Sequence, residues 1–86
     1  MNKLERTLKA LANRRRLAIL AYLKKNREAS VGEIAAQIRL SLKATSKHLL
    51  VLAATDIVAK DQRGLQMFYR LASLQDPAAR HILSLL

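Results

Sequence analysis

The sequence predicts a mainly α fold with a small β-hairpin, an α+β class with the element order α-α-α-α-β-β-α. Apolar residues recur at helical spacing up to Asp56, alternate with polar residues around Gly64, and return to helical spacing after Asp76-Pro77. A chain of 86 residues without a repeat or a linker-like segment is expected to form a single domain, residues 1–86.

Two helices are predicted before residue 26. The first carries leucines three or four residues apart: Leu4, Leu8 and Leu11. Asn13 is suited to end this helix and to cap the next, because its side chain accepts hydrogen bonds from unpaired backbone N–H groups. The second helix opens with Arg14-Arg15-Arg16 and continues through an apolar run from Leu17 to Leu23. Such a run predicts a central helix that is buried on all sides.

A helix-turn-helix is predicted between residues 30 and 54. Ser30 and Glu33 have the spacing of a capping box, in which each side chain bonds the backbone of the other residue. The helix that starts there is followed by Arg39-Leu40, which leaves room only for a tight turn. Ser41 can then cap a second helix, residues 42–54, so the spacing is that of a helix-turn-helix.

The helix over residues 42–54 has two different faces. Thr45, Leu49 and Leu52 share one face at a 3.6-residue period and are expected to pack on a core. The opposite face carries Lys43, Ser46 and Lys47. Two cations and a hydroxyl near a helix N-terminus are typical of a helix that reaches the phosphates and base edges of DNA. We therefore predict that this helix enters the major groove.

A β-hairpin is predicted after Asp56. Ile57-Val58-Ala59 favours a strand, and a second strand alternates apolar with polar residues as far as Leu71. Residues 61–64 are predicted to form the loop, with Gly64 supplying a positive φ and Arg63 at the tip. A hairpin that follows a helix-turn-helix is called a wing, and a cation at its tip is well placed for phosphate or the minor groove.

The C-terminal segment predicts a helix and a subunit interface. Asp76 is suited to cap this helix, and Pro77 to its first position. A terminal helix this apolar is expected to be buried. In a homodimer, the first and last helices of the two copies bury each other's apolar faces. The residues predicted at that interface are Leu4, Leu8, Leu11, Ile82, Leu83 and Leu86.

Composition indicates the kind of partner. With 16 Lys and Arg against 6 Asp and Glu, the net charge is +10, which suits double-stranded DNA, an acidic protein or an anionic lipid surface. The chain has no cysteine, which excludes disulfides, thiolate metal sites and thiol redox sensing. No apolar run approaches the roughly 18 residues of a membrane span, so a cytoplasmic protein without a membrane partner is expected. The sequence shows no catalytic or cofactor-binding motif, which favours a binding protein over an enzyme.

The predicted DNA contacts lie on three parts of the chain. Arg14 or Arg15 is expected to touch phosphate, since cations at a helix N-terminus oppose the helix dipole and need another reason to be there. His48 lies at the edge of the apolar face, where a hydrogen-bonded boundary residue is expected. Bracing the helix and touching phosphate are further roles open to it, and a charge near neutral pH would add to DNA affinity. The full predicted set is Ser41, Lys43, Ser46, Lys47, His48, Arg63, Arg14 and Arg15.

Three short motifs resemble the ArsR family of bacterial winged helix-turn-helix repressors. Lys9-Ala10-Leu11-Ala12 followed by Arg16-Leu17 is similar to the opening of that family. Leu40-Ser41 followed by Ser46-Lys47-His48-Leu49 is similar to its recognition segment, and Phe68-Tyr69-Arg70-Leu71 to the end of its second wing strand. The three motifs occur in the family's order and cover most of the chain.

The resemblance implies a homodimeric repressor that binds an inverted-repeat operator and dimerises through its first and last helices. Many members of the family sense metals. Here Ala29–Glu33 lacks the paired cysteines of the usual metal site, and Asp76 and His81 stand at a second known site without its other histidine. We assign no metal and no cofactor, and the effector is unknown. Two other interpretations stay open: an effector-independent architectural DNA binder and a basic protein-interaction module.

Overall fold

A computed structural model describes residues 2–86, and within them it contains five helices and three strands. The fold class is the predicted one, mainly helical with a small antiparallel β-hairpin. The order differs from the predicted one by an additional short strand before the third helix. The elements are α1 Lys3–Leu11, α2 Arg14–Asn26, β1 Glu28–Ser30, α3 Val31–Ile38, α4 Leu42–Ala54, β2 Val58–Arg63, β3 Gln66–Leu71 and α5 Pro77–Ser84.

The additional strand, β1, makes the sheet three-stranded. Its order is β1-β3-β2 with both pairings antiparallel, and Ala29 of β1 lies opposite Tyr69 of β3. A strand of three residues is too short to show an alternating pattern. It exists because β3 offers backbone partners to a segment that arrives from far along the chain. β1 also fixes the start of α3, since Ser30 is both its last residue and the N-cap of that helix.

The hairpin turn differs from the predicted loop. Arg63 pairs with Gln66 at the end of the β2–β3 ladder, so only Gly64 and Leu65 connect the two strands. The prediction of a loop over residues 61–64 is therefore wrong, because its first three residues continue β2. Gly64 has a φ of 62°, as a tight hairpin turn requires, and it supplies the positive φ that the sequence predicted.

The predicted helix caps are all present. Asn13 accepts hydrogen bonds from the backbone N–H groups of Arg15 and Arg16 at 2.9 and 3.1 Å. The capping box of α3 is complete, as is the cap of α4, where the Ser41 hydroxyl accepts from Ala44 N–H at 3.1 Å. Asp76 caps α5 by accepting from the Ala79 N–H. These local bonds fix where each helix begins, and therefore where the side chains of α4 point.

The core is formed by one side of each helix together with the sheet. Its largest fully buried apolar side chains are Ile19, Leu20, Leu23, Ile34, Leu49, Leu52 and Ile57. The prediction that α2 is buried on all sides is wrong, because Ala18 and Ala21 are exposed on its outer face. A methyl side chain leaves little apolar surface in water, so this face needs no covering layer.

Helices α1 and α5 pack against each other within one protomer. The buried Thr7 hydroxyl of α1 donates to the Asp76 carboxylate at 3.1 Å, and the Lys24 ammonium of α2 donates to the Leu83 carbonyl at 2.9 Å. Leu11 and Leu83 are 4% and 8% exposed, so they belong to the protomer core and offer no surface to a partner. This corrects their assignment to a dimer interface.

Candidate DNA-binding surface

Helix α4 is held in the fold by three side chains on its inner face. Thr45, Leu49 and Leu52 are each 0% exposed, as the 3.6-residue pattern predicted. Leu49 and Leu52 are members of the hydrophobic core, so the orientation of α4 about its own axis is fixed by packing. The direction in which the outer face of α4 points is therefore fixed relative to the rest of the protomer.

The outer face of α4 carries the predicted cations. Lys43 and Lys47 are exposed, and Ser46 between them is half-buried. One helical turn separates the two lysines, so both ammonium groups lie on the same side of α4. Ser41 is exposed at the start of the helix, where its oxygen is engaged as the cap. The structure thus brings these four predicted residues together along one edge of the helix-turn-helix.

The start of α2 lies next to the turn between α3 and α4. Arg15 donates from its guanidinium to the Ile38 carbonyl at 3.4 Å, while Arg14 is exposed. The turn itself contains Arg39, which was not among the residues predicted for the site. It is exposed and adopts a left-handed conformation with φ 56° and ψ 51°. Its position in the turn, two residues before Ser41, was the signal that could have identified it.

Arg16 connects three helices through its guanidinium. It donates to the Lys9 and Ala10 carbonyls at the end of α1, and its Nη1 lies 3.2 Å from His48 Nδ1 on α4. A guanidinium is always a donor, so His48 Nδ1 accepts and the ring proton lies on Nε2. His48 therefore braces α4 against α2, which was one of the roles predicted for it.

Partial burial and two neighbouring arginines decide the charge of His48. Partial burial lowers the pKa of His48 below its ordinary value of 6.5, and the positive charges of Arg16 and Arg15 lower it further. The imidazole is therefore neutral at neutral pH. The expectation that it charges there and adds to DNA affinity is corrected accordingly.

Stability is expected to fall on acidification because of this histidine. The unfolded chain takes up a proton at the ordinary pKa, while the folded chain resists protonation until lower pH. The stability is thus fully present above about pH 6.5 and is lost as the pH falls through the folded value. In urea unfolding at pH 7.5 and 5.5, His48→Gln should lose less stability on acidification than the wild type. An equal loss in both proteins would contradict the assigned state of His48, since His81 is present in each.

Arg63 is not at the tip of the hairpin, contrary to the prediction. It is the last residue of β2, and its guanidinium forms a two-pronged salt bridge with the Glu28 carboxylate at 2.8 and 2.9 Å. Its Nε donates to Asp61 at 3.1 Å, and the group lies 4.6 Å from the centre of the Phe68 ring. The hydrogen bond from Arg63 lowers the pKa of Glu28, so the pair is fully ionised near neutral pH. This cation is already occupied within the protomer.

A second group of exposed side chains consists of leucines near the chain ends. Leu4 and Leu8 of α1 are 56% and 46% exposed, and Leu85 and Leu86 after α5 are 68% and 38% exposed. We call these four residues the terminal leucine patch. Ile82, also predicted at an interface, is half-buried and packs on the protomer core.

Two kinds of site are absent from the described part of the chain. Residues 2–86 contain no cluster of three histidine or acidic side chains that is suited to hold a metal ion. Over the same range, the helices are all too short or too polar to cross a membrane.

The fold and this surface define a class of protein, the winged helix-turn-helix DNA-binding domains. A family model described as a helix-turn-helix domain matches residues 11–61. The transcriptional activator HlyU of Vibrio cholerae is 41% identical over 76 residues, which are 88% of this chain and 69% of that protein.

Solved structures show the same similarity. The structure of reduced HlyU from Vibrio cholerae superimposes with a TM-score of 0.81 at 36% identity, over 98% of this chain and 84% of the other. A solution structure from Mycobacterium bovis gives 0.82 at 32% identity, over 96% and 74%. It is described as a homodimeric winged helix-turn-helix DNA-binding domain of a possible ArsR-family regulator.

The chain belongs to the ArsR-type family of winged helix-turn-helix transcription regulators. It is a regulator with a DNA-binding fold rather than an enzyme.

Proposed function

We propose that this protein is a sequence-specific transcriptional repressor that binds an inverted-repeat operator as a homodimer. The observation that carries the proposal is the rigid outer face of α4. Lys43 and Lys47 are exposed on it while Thr45, Leu49 and Leu52 anchor its other side. In the major groove, the two ammonium groups contact phosphates or guanine, and the Ser46 hydroxyl contacts phosphate or a base. Lys43, Lys47, Arg14, Arg15 and Arg39 are the phosphate contacts of the proposal.

The homodimer is supported by the terminal leucine patch, which leaves apolar side chains of α1 and of the chain end in water. Leu4, Leu8 and Leu86 remain at the proposed interface, and Leu85 joins them. Two α4 helices in such a dimer enter successive major grooves about 34 Å apart. The whole of residues 1–86 acts as one DNA-binding domain in this proposal, and it works in the cytoplasm.

Repression follows from steric exclusion, since a dimer bound across a promoter occupies the surface that polymerase needs. HlyU of Vibrio cholerae is described as an activator, so the sign of regulation needs its own measurement. A promoter reporter that carries the operator should fall when the protein is expressed. A rise would make this protein an activator.

Selection of duplexes from a random library, followed by footprinting, tests the DNA-binding proposal. We expect one inverted repeat, protected as two half-sites one helical turn apart. With about six to ten phosphates contacted, affinity should fall about 10³- to 10⁵-fold between 50 and 200 mM salt. Broad protection without a consensus would favour the architectural binder. Recovery of no duplex would favour the protein-interaction module.

A further inference from the structure

An uncharged cleft lies between the hairpin turn and the starts of α3 and α4. It has a volume of about 360 Å³, and Leu42, Ser46, Leu65 and Met67 are among the residues that line it. All the side chains that line it among residues 2–86 are uncharged, although the chain has a net charge of +10. Ser46 places the cleft on the outer face of α4, next to the proposed phosphate contacts.

The two leucines on the rim of this cleft are left in water by the protomer. Leu65 of the hairpin turn is fully exposed at 104%, and Leu42 at the first position of α4 is 59% exposed. Met67, in contrast, is half-buried and packs on the core. Met67 therefore contributes a fixed apolar side chain to a lining that also contains Ser30, Ser46 and Gln66. The two leucines are its free apolar edges, one on the hairpin and one on the helix.

At the end next to the cleft, the arginine of the hairpin is already held in ion pairs. Arg63 is held by Glu28 and Asp61, and these two carboxylates more than offset its single charge. The turn beyond it consists of Gly64 and Leu65. An apolar side chain, rather than a cation, is thus what the hairpin extends toward a partner.

We propose that Leu42 and Leu65 form an apolar clamp on one strand of the operator duplex. Leu65 packs on deoxyribose and base edges in the minor groove, where apolar side chains are common contacts. Leu42 packs on a thymine methyl, the apolar feature of the adjacent major groove. The clamp deepens the proposed function and rests on it, since it assigns part of the sequence preference to these two leucines.

DNA is the occupant that the position of the cleft favours. The cleft continues the α4 face through Ser46, and Lys43 directly follows Leu42 in the sequence. A second copy of the chain is the remaining apolar occupant, and the experiment below separates it from DNA.

The test uses the duplex recovered by the selection described above, with binding measured across a series of salt concentrations. Leu65→Ala and Leu42→Ala should each weaken binding about tenfold and leave the salt dependence unchanged, because no phosphate contact is lost. Leu65→Lys should steepen the slope of log K against log salt by about 0.9 for each protomer. Replacement of one half-site thymine by deoxyuridine, which lacks the methyl group, should weaken binding by the wild type severalfold. It should leave binding by Leu42→Ala unchanged.

Leu74→Ala is the matched control, since Leu74 is 88% exposed and does not line the cleft. It should bind like the wild type. Wild-type affinity in both clamp variants, or an unchanged slope for Leu65→Lys, would overturn the clamp and leave the proposed function standing. A change of self-association in Leu65→Ala would assign the cleft to a second copy. If the wild type selects no duplex, both proposals fail together.

Discussion

Replacing both Leu4 and Leu8 with glutamine is expected to convert the dimer into a monomer and to weaken operator binding about 10²- to 10⁴-fold. In a dimer, the second α4 helix binds at a high effective concentration because the first has already bound its half-site. A monomer loses this advantage, although each of its contacts to a half-site remains. The loss should therefore appear on the full inverted repeat and be absent on a single half-site.

The structure makes this double substitution a specific one. Both leucines are about half exposed, while Leu11 on the same helix is buried, so α1 keeps its anchor to the protomer core. Glutamine adds no charge, so the net charge stays at +10 and the attraction to phosphate is unchanged. Helix propensity is also nearly equal for leucine and glutamine.

Sedimentation equilibrium provides the mass, and titration with full and half operators provides the affinities. Leu74→Gln is the matched control for self-association, because it alters a leucine that is 88% exposed and lies outside the terminal leucine patch. It should sediment like the wild type. A double variant that still sediments as a dimer would show that the subunits meet through another surface.

The features that the sequence predicted correctly depend on local chemistry. Asn13, Ser41 and Asp76 cap helices within three residues of their own position, and such bonds form wherever the chain places the right side chain. Helix α4 was predicted at residues 42–54, which are its bounds in the structure. Its buried and exposed faces followed from the same periodicity.

The features that the sequence did not predict depend on contacts between distant segments. β1 forms because Ala29 meets Tyr69, a pairing that no local pattern specifies. Arg63 was placed at the tip because Gly64 marked the turn but not its length. The Glu28 carboxylate that holds Arg63 lies 35 residues away in the sequence.

The site was only partly predicted, because some of its features depend on local pattern and others on contacts between helices. Lys43 and Lys47 lie on the exposed face that helical periodicity gave them. The state of His48 was not predictable, because it depends on an arginine of another helix that is itself held by carbonyls of a third. Of the roles considered for His48, the structure supports the brace of α4 by a neutral ring.

Replacing both Lys43 and Lys47 with glutamine is expected to cause the second large effect, a loss of electrostatic affinity for the operator. Two lysines in each of two protomers correspond to four phosphate contacts, so the slope of log K against log salt should fall by about 3.6. Extrapolated from 1 M salt, where counterion release contributes nothing, this corresponds to a loss on the order of 10³-fold at 100 mM salt.

The fold should tolerate this change, because both side chains are exposed and the anchors of α4 are untouched. Lys25→Gln together with Arg27→Gln is the matched control, since it removes the same charge from the far end of α2, where both side chains are exposed. If general attraction to the duplex were the cause, both pairs would lower the slope equally. If α4 lies in the major groove, the α4 pair alone should lower it by the larger amount. An unchanged slope in the α4 pair would mean that this face does not meet the phosphates, and the assignment of α4 as the recognition helix would be wrong.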